Sequence, residues 1–107
     1  MIVELLRRDA VVYAGYSAGP CVLAPSLSGL ELVDTPEDVR EIYGIAPIYT
    51  GLGILDFAFV PHFESPGHPE TEDIGKVAAR YRGTGMPHRT LHDGQAIVVN
   101  GGDPFLL

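Results

Sequence analysis

Apolar positions along this chain follow two rhythms. Unbroken apolar runs with β-branched or aromatic side chains occur at Ala10–Ala14 (AVVYA) and Phe57–Val60 (FAFV). Such runs are expected of strands buried on both faces, as in a parallel sheet covered by helices. A helical rhythm instead sets Ile74, Val77, Ala78 and Tyr81 on one face of a helix that starts at Glu70. Acids fill its first turn and Lys76, Arg80 and Arg82 its later ones, as the helix dipole prefers, and Gly83 and Gly85 cap it. Near the start, Leu5 and Leu6 lie among charged neighbours. Ile2–Arg8 therefore reads as the last turns of a helix expected to begin upstream of Met1.

Between these anchors the pattern is weaker. Gly15 to Pro20 turns the chain, Ala18–Leu23 can form a short helix, and Pro25, Ser26, Ser28 and Gly29 break it. A strand is expected at Leu30–Val33. Thr35 as N-cap, Pro36 at the first helical position and Asp38 predict a helix that runs to about Tyr43, where Gly44 ends it. Residues 45–55 are glycine-punctuated and carry no clear period, and Pro61–Pro69, with three prolines and a glycine, must be a loop. Two short strands, about His88–Leu91 and Gln95–Val99, flank the turn His92-Asp93-Gly94. Strand and helix alternate, so the class is α/β, and the 107 residues make one domain, 1–107, with no repeats.

Charge narrows the partners. Seven basic against 14 acidic residues give a net charge of −7, and the basic residues do not cluster beyond Arg7-Arg8. Nucleic acid and anionic lipid are repelled by such a surface, so neither is expected as a partner. The single cysteine, Cys21, excludes a disulfide framework and any multi-cysteine zinc site, which suits a reducing cytoplasm. No signal peptide opens the chain and no apolar stretch approaches the roughly 20 residues of a membrane span. Cofactor motifs are absent too, with no P-loop and no G-x-G-x-x-G. A histidine-only metal site is not expected, because only His88 and His92 are closely spaced.

One motif carries chemistry. Gly15-Tyr16-Ser17-Ala18-Gly19 fits G-x-S-x-G, with an apolar run before it and a short helix expected after it. That context is a nucleophile elbow, in which a strained serine presents its hydroxyl above the sheet. Steric crowding by a neighbouring strand or helix would explain the two glycines. The Ala18 N–H points where a tetrahedral oxyanion would form. A serine nucleophile needs a base, and His62 is the best of four histidines because it follows the strand Phe57–Val60 at its carboxyl end. His68, His88 and His92 read as hydrogen-bonded loop residues. Two acids are placed to orient the imidazole, Asp34 after the expected strand Leu30–Val33 and Asp93 in the His92-Asp93-Gly94 turn, and the sequence does not choose between them. Cys21, one helical turn after Ser17, reads as a small buried hydrophobe.

The segments Tyr13–Gly19, Gly51-Leu52-Gly53-Ile54-Leu55 leading into Pro61-His62-Phe63, and Asp93-Gly94-Gln95-Ala96 together resemble the peptidase E family of aspartyl dipeptidases. That resemblance implies a class I glutamine amidotransferase-like fold, here a half-length sheet flanked by helices, because members are about twice as long. It implies a serine exopeptidase with Ser17 as nucleophile, His62 as base, Asp34 or Asp93 as the acid, and Tyr16 and Glu72 among the residues that meet substrate. The family's missing half includes the glycine-rich loop that supplies a second oxyanion N–H, so only that of Ala18 is expected here. Where the family holds an arginine for the substrate carboxylate, this chain has Glu70, Thr71, Glu72 and Asp73. A basic or neutral first residue is therefore expected. A half-sheet exposes an edge, which predicts a homo-oligomer, a dimer or higher. The competing reading is a non-catalytic interaction module, or one that needs a partner to complete its site.

Overall fold

The computed structural model describes all residues from Met1 to Leu107. Three α-helices form, α1 (Ile2–Arg7), α2 (Glu37–Tyr43) and α3 (Thr71–Thr84), with four short strands, β1 (Ala58–Val60), β2 (His88–Thr90), β3 (Ile97–Val98) and β4 (Phe105–Leu106). β1 and β2 pair in parallel, with Phe59 opposite Arg89. Their connection is α3, so this is one βαβ unit of the kind the α/β reading requires. β3 does not pair with β2 across the His92–Gly94 turn. It pairs antiparallel with β4 at the chain's end.

The core sits where the helical face of α3 meets β1. Ile74, Val77, Ala78 and Tyr81 of α3 pack with Ala24, Ala58 and Val60, and Val60 and Val77 are wholly enclosed. Burying each such aliphatic side chain contributes about 1.5–3 kcal/mol, so this cluster holds most of the apolar stabilisation in the chain. Tyr81 closes one end of the cluster, its hydroxyl donating to the Ser28 carbonyl at 2.9 Å. The segment before β1 is tied back along residues 22–27 by Leu52 N–H to Val22 O, Gly53 N–H to Ala24 O and Leu55 N–H to Leu23 O. Glycine is obligatory at position 51, because a Cβ there would stand 1.8 Å from the Ala24 carbonyl oxygen.

Two expected strands are absent. Ala10–Ala14 makes no ladder, and Val12 is 93% exposed, because no strand of this chain lies alongside it. Leu30–Val33 instead opens as a 3-10 turn (Leu30–Leu32). Gly29, at φ +103°, reverses the chain just before it, and the Glu31 carboxylate folds back to accept the Gly29 N–H at 2.7 Å. That local bond competes with a sheet ladder and wins. The helix after the elbow is likewise a five-residue 3-10 turn, Gly19–Leu23. Thr35 does not cap α2 through its side chain.

Candidate active site

Ser17 takes a left-handed conformation, φ +55°, just before the Gly19–Leu23 turn. Few non-glycine residues adopt this region, which costs about 1–3 kcal/mol. The glycines of the elbow are less constrained than the motif suggests. A Cβ at Gly15 would meet only the Tyr13 side chain, at 2.6 Å from its hydroxyl, and one at Gly19 would have room.

β1 delivers the second group. It ends at Val60, Pro61 follows, and His62 takes φ +60°. Its Nε2 lies 2.8 Å from Ser17 Oγ and its Nδ1 lies 2.6 Å from Asp93 Oδ1. A carboxylate only accepts, so Nδ1 carries the proton and the Nε2 lone pair faces the serine hydroxyl. The chain thus runs from serine to imidazole to carboxylate, with residues 45 and 31 positions apart brought together by the ends of β1 and the turn after β2.

A buried hydroxyl fixes the His62 loop relative to Asp93. Ser65 is 3% exposed; its Oγ accepts the Asp93 N–H at 2.8 Å and donates to the Phe63 carbonyl at 3.3 Å. Thr71, at the start of α3, donates to the His62 carbonyl at 2.7 Å and accepts the Ser65 N–H at 2.9 Å. The His92 ring adds a bond from Nδ1 to the Phe63 carbonyl. Nothing in the residue pattern marks Ser65 or Thr71. Only the return of the 92–94 turn onto the 62–65 loop shows their role.

Two cavities flank Ser17 and His62. One, of about 210 Å³, is lined by apolar groups including Val22, Leu27, Leu30 and Ile74, and by the carboxylates Asp34 and Glu70. The other, of about 310 Å³, runs between the elbow and Asp93–Ala96 and includes Tyr16. Of the two candidate acids, Asp93 reaches the imidazole, while Asp34 faces the apolar cavity on the other side. Glu72 lines neither cavity, because it lies on the exposed face of α3 and Glu70 occupies the position beside the pocket. Tyr16 lies at the cavity mouth, 88% exposed. The Ala18 N–H hydrogen-bonds to no group of the chain and lines the same cavity as Ser17.

Cys21 also borders this cavity. Burial pushes its thiol up to about 11, and the nearby Asp34 charge adds to the effect. It stays protonated at neutral pH and packs as a hydrophobe. His62, His68 and Glu70 bring three donor atoms within 4.8 Å of one another. The His62 and His68 rings, however, stack face to face, with centroids 3.6 Å apart and 10° between planes. One ion cannot lie in the planes of two parallel rings, so the arrangement does not suit a metal without rotating both.

The profile of Peptidase family S51 matches residues 1–107. The fold is similar to a crystal structure of a protein assigned to peptidase E from Listeria monocytogenes EGD-e, at a TM-score of 0.71 and 21% identity. The match covers 98% of this chain and 52% of that one, so the present chain spans about half of its structural neighbour. No curated protein matches it. No helix is long and apolar enough to cross a membrane.

Proposed function

Because the chain belongs to Peptidase family S51, we propose that it is a serine-type peptidase that cleaves dipeptides or short peptides through Ser17, His62 and Asp93. The observation that carries this reading is the unbroken hydrogen-bonded line Ser17 Oγ, His62 Nε2, His62 Nδ1, Asp93 Oδ1 at 2.8 and 2.6 Å. In the forward step Ser17 Oγ bonds the peptide carbonyl carbon as its proton passes to His62 Nε2. His62 then returns that proton to the departing amine. Asp93 holds the tautomer and stabilises the imidazolium while it lasts. The Ala18 N–H receives the oxyanion. A water next attacks the acyl-enzyme, and the same groups run in reverse.

Substrate charge follows from the apolar cavity. Asp34 and Glu70 line it and no lysine or arginine does. An ammonium is therefore favoured there and a carboxylate repelled, which supports peptides with a basic or neutral first residue. The exposed apolar run Val11–Tyr13 supports a homo-oligomer, in which a second copy shields that run.

The test is hydrolysis of dipeptides with acidic, neutral and basic first residues by the wild type and Ser17→Ala side by side, with oligomeric state recorded by sedimentation. Turnover that disappears in Ser17→Ala supports the peptidase. Equal rates in the two proteins would overturn it. No turnover from a folded chain would leave the interaction module as the better account.

A further inference from the structure

We propose that His68 is a positioning residue for His62, whose ring plane it holds by face-to-face stacking. This rests on the reading of His62 as the base, since the orientation of that ring bears on the reaction only if the ring takes the Ser17 proton.

The His62 ring is held at its edge by Ser17 and Asp93 and on one face by His68. His68 is itself pinned. Its backbone N–H reaches the Ser65 carbonyl at 3.1 Å and its carbonyl takes the Thr71 N–H at 3.3 Å. Ser65 and Thr71 are the residues that tie His62 to the loop. Its Nδ1 accepts the Glu70 N–H at 3.2 Å. In the neutral ring that bond places the hydrogen on Nε2. The second ring is therefore fixed in place and in tautomer, and stacking on it restricts the swing of the His62 plane.

The experiment compares steady-state kinetics of the full chain as wild type, His68→Phe and His68→Ala. His68→Phe keeps a stacked ring, whereas His68→Ala removes it. With a dipeptide that the wild type cleaves, His68→Ala should lower kcat about tenfold with KM within about twofold, and His68→Phe should recover most of that loss. An unchanged kcat in folded His68→Ala would overturn the positioning role. Equal activity of wild type and Ser17→Ala would instead remove the base reading, whereas activity that depends on Ser17 but not on His68 would overturn the positioning role alone.

Discussion

Residues 1–18 and residues 57–98 each supply part of one site, but they are held by very different means. The second region builds a βαβ unit around α3, and its His62 and Asp93 are tied by Ser65, Thr71 and His92 through hydrogen bonds that leave no buried polar side-chain atom without a partner. The first region has no buried residue at all, although Val11, Val12, Tyr13 and Tyr16 are apolar or aromatic. Ser17 therefore depends for its position on its bond to His62 and on the turn that follows, whereas His62 and Asp93 are fixed by hydrogen bonds to the 63–71 segment. Equal hydrophobicity in AVVYA and FAFV gives opposite outcomes because burial needs a partner surface, and only FAFV finds one in this chain.

The largest effect that would sharpen this contrast is on chemistry. Asp93→Asn should reduce kcat by about 10⁴, because the amide favours the wrong imidazole tautomer, while Asp34→Asn should change it less than about tenfold. Similar losses from the two would break the assignment of the acid. Stability comes next: Ile74→Ala should cost about 2–5 kcal/mol in chemical denaturation, against about 0.5 kcal/mol or less for Val12→Ala. A large cost at Val12 would mean that the first region is packed in solution, which sedimentation would then trace to association. Ser65→Ala leaves the part-buried Asp93 N–H without its acceptor and should cost about 1 kcal/mol, with a parallel fall in kcat.

The smallest expected effect is a pH dependence far from the site. Burial alone would raise the Glu31 carboxyl, but the N–H groups of Glu31 and Gly29 and the Arg80 guanidinium, 2.8 Å away, together hold it below its ordinary value. A depressed carboxyl stabilises the fold above its unfolded-state range, and that contribution is lost as pH falls through the folded value. Thermal unfolding from neutral to acid pH should therefore show a component that shrinks in Arg80→Met. An unchanged profile would show that the pair adds nothing measurable.

What the sequence discloses follows the range of the forces involved. The elbow is legible because G-x-S-x-G encodes a local backbone geometry, and Ser17 at φ +55° adopts it. Helix α3 is legible because its apolar period, its charge order and Gly85 all act within a few residues. Which acid meets His62 is not legible. Asp34 and Asp93 have the same local credentials, and the choice is made by the turn after β2 folding back onto the 62–65 loop. Leu30–Val33 misleads because its apolar pattern suits a strand, while Glu31 makes a two-residue bond to Gly29 that tightens a turn instead. Likewise the acid run Glu70–Asp73 points toward the site without showing that Glu70, and not Glu72, borders the cavity.

The unpacked approach to Ser17 has a kinetic consequence. A segment with no buried residue opens at little cost in free energy, so the molecules in which Ser17 meets His62 form a fraction of an ensemble that interconverts quickly. The apparent dissociation constant for a substrate is the intrinsic one divided by that fraction, and any contact that quiets residues 10–16, from a bound peptide or a second protein surface, raises affinity and rate together without touching a reacting atom.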